Sequence, residues 1–99
     1  MTQQEQQEIK VIAPGQLIGG VYCNLMQVSH SKEEFIMDFL MFHRGQGALT
    51  SRVIMSPRHM KRTIAALQNN LKKYESEIGK IEEAPPPKGK LGFQPPKSS

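Results

Sequence analysis

The chain has 99 residues, which is one domain at most, and five of its seven prolines fall in the last fifteen positions. A single cysteine, Cys23, excludes an internal disulfide and suits a reducing, cytoplasmic setting. No apolar run approaches the roughly 20 residues of a membrane span, and thirteen Lys and Arg against nine Asp and Glu give +4, a basic bias that admits anionic partners without requiring them.

Met1–Glu8 holds four glutamines, two glutamates and one apolar side chain. It reads as a disordered tail and has no signal-peptide character. Residues 9–81 are expected to form a single domain, about seventy residues, a size at which a lone hydrophobic core is marginal. Ile9 and Val11 alternate with Lys10 ahead of the turn signal Pro14-Gly15, which leaves room for a short fourth strand at the edge of a sheet.

Gly19-Gly20 introduces the first clear strand, Val21–Ser29, which ends at the polar stretch Ser29-His30-Ser31-Lys32. A second run, Glu34–Phe42, sets Phe35, Met37, Phe39 and Met41 on one side and Ile36, Asp38, Leu40 and Phe42 on the other. The break His43–Gly47 offers two glycines for a hairpin loop, and a third run follows over Ala48–Met55. Short connections make these neighbours antiparallel.

The helix has the fullest set of signals. Ser56 is a good N-cap, Pro57 suits the first helical position, and Gly79 suits the exit. Apolar residues recur at Met60, Ile64, Leu67, Leu71, Tyr74 and Ile78, within a stripe about 80° wide that is expected to be buried. The fold class is therefore α+β: a three-stranded antiparallel sheet, or four with the N-terminal edge, then one long amphipathic helix. Residues 82–99 read as a Pro- and Lys-bearing tail, extended and solvated, with Leu91 and Phe93 as its one apolar pair.

Both sides of the second strand are apolar, and one helix covers only one of them. A second copy would supply the missing cover, so the chain is expected to be a homodimer through Phe35, Met37, Phe39 and Met41. Asp38, the one charge between Phe35 and Phe42, either pairs with Arg52 on the next strand or is a functional acid in apolar surroundings. The pair is the preferred reading, because no second carboxylate or histidine stands beside it for acid–base work.

Opposite the apolar stripe, the helix carries Arg58, Lys61, Arg62, Lys72 and Lys73. Three of them sit in the first two turns, where the macrodipole disfavours positive charge. With Arg44 and Arg52 they form the candidate anion- or nucleic-acid-binding set. The plain alternative is a solvated face that keeps the protein dispersed. Catalytic and metal chemistry is missing from the pattern. Gly45-Gln46-Gly47 lacks a phosphate-binding context. His30, His43, His59 and Cys23 stand singly, and Cys23 is expected to be a buried, inert thiol in mid-strand. No enzyme, cofactor, metal or small-molecule substrate is expected.

Several groups of residues, taken in order, are distinctive: Tyr22-x-Asn24, Glu34-Phe35-x-x-Asp38-Phe39, Arg52-Val53-x-x-Ser56-Pro57, and Leu67-x-x-Asn70-Leu71-x-x-Tyr74-Glu75-x-x-x-Gly79-x-Ile81. Over residues 20–81 they resemble a family of small bacterial and archaeal proteins catalogued only as a domain of unknown function. The resemblance implies a shared fold and no activity. Two functions of different class follow from the residues themselves: a polyanion-binding module using the basic helix face, or a protein–protein adaptor docking through its surface or its C-terminal tail. A chaperone-like groove lined by Met and Phe is a third, weaker reading.

Overall fold

The computed structural model describes residues 7–94, so Met1–Gln6 and residues 95–99, parts of the two expected tails, lie outside the described residues. Five elements follow in order: α1 (Gly15–Ile18), β1 (Leu25–His30), β2 (Phe35–His43), β3 (Gln46–Met55) and α2 (Pro57–Glu77). The strands form one antiparallel sheet in the order β1-β2-β3, each hydrogen-bonded to its sequence neighbour. This is the expected β-β-β-α arrangement, without a fourth strand among the described residues. The Ile9–Val11 stretch has no regular structure, and Pro14-Gly15 opens a single helical turn instead.

The chain divides into two compact units. The first gathers the chain up to Gln27 with Asp38–Arg52, and the second gathers Val28–Met37 with the chain from Val53 onward.

In the first unit, the hairpin between β2 and β3 turns on two residues, Arg44 (φ 53°) and Gly45 (φ 77°). Positive φ at both central positions is what a type I′ turn requires, and its twist matches the flanking strands. The loop is thus shorter than the five-residue break expected, and Gly47 lies inside β3. On the β1 side of the same end of β2, the chain enters the sheet later than Val21. Residues 21–24 are not strand, because the Asn24 side chain does the pairing: its Nδ2 donates to the Phe42 carbonyl and its Oδ1 accepts from the Phe42 N–H, both at 2.8 Å. The Asn24 backbone N–H also reaches the Leu40 carbonyl at 3.1 Å. A carboxamide here imitates a peptide group. One consequence is a correction: Cys23 is exposed, since no strand forms around it.

In the second unit, β1 runs through His30 into a turn over Ser31–Glu34. The Ser31 hydroxyl accepts from the N–H groups of Glu33 and Glu34, and the Ser31 N–H donates to the Glu34 carbonyl at 2.9 Å. His30 and Phe35 bring their rings to 5.4 Å across it. The helix starts as its residues dictate: Ser56 Oγ accepts from the His59 N–H at 3.2 Å, with Pro57 at the first position. It ends with Ile78 donating to the Tyr74 carbonyl, followed by Gly79 with positive φ.

The core is small. Leu40 in the first unit and Met60 in the second are the only buried apolar side chains among the described residues, and Asp38 is the only buried charged one. The helix stripe is therefore not the buried face that its periodicity suggested. Only Met60 is covered, while Ile64, Leu67, Leu71, Tyr74 and Ile78 are between 44% and 71% exposed. The contact that α2 makes with the strand before it is at its second turn, where the Thr63 hydroxyl lies 3.5 Å from Met55 Sδ.

Candidate functional site

Asp38 sits on the middle strand with 5% of its surface exposed, between the apolar residues Met37 and Phe39. A carboxylate so placed needs a partner, and Arg52 on β3 supplies one. Its Nε donates to Asp38 Oδ1 at 2.5 Å and its NH2 group to Oδ2 at 3.2 Å. This two-point contact holds the guanidinium above its ordinary pKa, first through the hydrogen bond and then through the charge of Asp38. The pair read from the sequence is present. It takes one cation out of the candidate anion-binding set, since the guanidinium of Arg52 is committed to Asp38.

The remaining cations divide between the units. Arg44 stands at the tip of the β2–β3 turn in the first. Arg58, Lys61, Arg62, Lys72 and Lys73 all belong to α2 in the second. At 100° per residue these five fall within an arc of about 120° opposite the apolar stripe. Arg58, Lys61 and Arg62 lie in the first two turns, and Lys72 and Lys73 begin about 15 Å further along the axis. The first turn holds no acidic residue and the last turn no basic one. Charge thus runs against the helix dipole from end to end. The Asp38–Arg52 contact is the only ion pair among the described residues, so none of the five helix cations is neutralised within the described chain.

The four residues expected at a dimer interface, Phe35, Met37, Phe39 and Met41, are half-buried on β2, with Met41 at the exposed margin. The more exposed apolar surface is elsewhere. It comprises the helix stripe beyond Met60 and the run Ile9, Val11, Ile12, Leu17 and Ile18, which is 65–91% exposed. Sequence reasoning took the stripe for an internal face, yet its spacing carries the other signal too. Apolar positions separated alternately by four and three residues repeat every 3.5 residues, which is the seam of a coiled coil. Glu75 and Glu77, at the far end of the helix, were also passed over. Glu75 Oε2 accepts from the Ile81 N–H at 3.0 Å, which fixes its carboxylate beside the helix exit.

Among the described residues, no three His, Cys, Asp or Glu side chains gather closely enough to hold a metal ion, and no helix is long and apolar enough to cross a membrane. A family model with the description "Protein of unknown function (DUF3467)" matches residues 1–83. No curated protein and no solved structure matches the chain.

Proposed function

Since the chain belongs to that family, whose description assigns no activity, we propose from its surfaces that it is a non-enzymatic, homodimeric binding module that presents the basic face of α2 to a polyanion such as nucleic acid. The observation that supports this reading is the row of five helix cations without an ion-pair partner among the described residues. Arg58 stands in the first turn, where a cation is disfavoured by about 0.3–1 kcal/mol, and Lys61 and Arg62 follow in the second turn, where the effect is smaller. A residue pattern that opposes local stability is often retained for a use. Phosphate groups would meet cations and the positive end of the helix dipole together. The exposed Cys23 thiol fits a reducing, cytoplasmic setting.

The test is a titration of labelled single- and double-stranded oligonucleotides at two salt concentrations. Each phosphate contact contributes a slope of about −0.7 to −0.9 in log K against log salt, so three to five contacts give a slope of roughly −2 to −4.5. R58Q/K61Q/R62Q is expected to weaken binding at least tenfold and to flatten the slope. Absence of binding at low salt would end the reading.

One observation favours the second reading, a protein–protein adaptor. The exposed apolar run Ile9–Ile18 has the composition of a docking segment, and single exposed apolar residues need no such explanation whereas a run of them does. An adaptor keeps its partner in the charge-neutralised variant and loses it when residues 1–18 are removed. The same comparison made with residues 82–99 removed tests the C-terminal tail.

A further inference from the structure

We propose that the exposed stripe of α2 is covered by α2 of a second copy, the two helices running antiparallel about a two-fold axis at the level of Asn69. This rests on the homodimeric reading above and moves its interface from the strands to the helix. The stripe beyond Met60 lies bare in one chain, and its 3.5-residue repeat is built for another helix. In heptad terms Ile64, Leu71 and Ile78 take the first core position, and Met60, Leu67 and Tyr74 take the second.

An antiparallel pair sets first positions against second positions. Ile64 then meets the partner's Tyr74, and Leu67 meets the partner's Leu71. Both layers share one centre, position 69, and Met60, already buried in its own chain, abuts the end of the seam at the partner's Ile78. The flanks agree with the same centre. Lys61 falls opposite the partner's Glu75, Gln68 opposite the partner's Gln68, Thr63 opposite the partner's Glu77 and Asn70 opposite the partner's Asn70. No like charges face each other.

Charge decides the direction. A parallel pair would gather Arg58, Lys61 and Arg62 of both copies at one end and all the Glu75 and Glu77 carboxylates at the other. The charge order that opposes each helix's own dipole is complementary to a neighbour pointing the other way. Glu75 is already held in place through its Oε2 by the Ile81 N–H, leaving the other oxygen to accept from the Lys61 ammonium. With Lys61 at the seam, the outward basic face retains Arg58, Arg62, Lys72 and Lys73.

The stripe residues beyond Met60, each between 44% and 71% exposed, are the apolar surface that such a seam would cover.

Light scattering of the full chain should give twice 11.2 kDa at tens of micromolar. In a C23S background, Q68C should link to its own copy through a short thiol-to-thiol reagent. K61C should not, because its counterpart lies about 24 Å away along the axis. K61E should weaken dimerisation about tenfold, and K61E/E75K should restore it. L67D/L71D should be monomeric with an unchanged helical spectrum, as both side chains are exposed in the single chain. A monomer in the unmodified protein would overturn both this inference and the homodimeric reading. A dimer without the Q68C link, or with a K61C link as well, would overturn the antiparallel helix pair alone. It would return the interface to Phe35, Met37, Phe39 and Met41, to the Ile9–Ile18 run, or to a parallel pair.

Discussion

Asp38 and Arg52 form the one ion pair among the described residues, and they are unequal partners. The carboxylate side chain is 8% exposed and the guanidinium side chain 48%. Removing the cation strands a buried charge, whereas removing both charges leaves only lost polarity. R52Q is therefore expected to lower the urea midpoint more than D38N/R52Q does. The pH behaviour follows from the direction of the shift. Arg52 is raised in the folded chain, so its contribution is present below its unfolded pKa and is lost only as pH rises through the folded one, in strong alkali. The guanidinium side of the pair therefore holds throughout the neutral range. This contact was legible in the sequence because charge is scarce there: Asp38 is alone in Phe35–Phe42, and Arg52 is alone in Gln46–Met55. Cys23 was not legible, since its exposure depends on a side chain next door taking over the work of a strand.

Among the elements, the β2–β3 turn and the helix show how local rules carry and where they stop. A two-residue hairpin turn favours Asn or Asp at its first central position and Gly at its second. Gly45 obeys, and Arg44 sits at φ 53°, a conformation in which its Cβ costs about 1–2 kcal/mol. R44N is expected to raise stability by about 0.5–1 kcal/mol in chemical denaturation. If Arg44 contributes to anion binding, the same variant should bind oligonucleotide more weakly, so that stability and affinity move in opposite directions. The helix boundaries followed from Ser56, Pro57 and Gly79, each of which acts on its own few neighbours. The beginning of β1 did not follow, because residues 21–24 have strand-forming composition and the competing Asn24 contact lies 18 positions away at Phe42. The fate of the stripe was likewise beyond periodicity, which says that a face is apolar and is silent on what covers it.

For the molecule as a whole, two buried apolar side chains among the described residues are a slender core, and under the proposed helix pair stability should depend on how many copies are present. Association that favours the folded state makes the melting temperature rise with concentration. For a dimer of this size, each tenfold increase is expected to raise it by about 3–5 °C, read from thermal scans across two decades of concentration. L67D/L71D should remove the dependence.

So much uncovered apolar surface makes the Asn24 carboxamide matter in another way. β1 has six residues and β2 nine, so the β1 side of β2 has a stretch at Phe42 that β1 does not accompany. An open peptide group at that place would be a template for stray strands from other molecules. With its N–H and carbonyl both taken by Asn24, the Phe42 peptide group offers no such template.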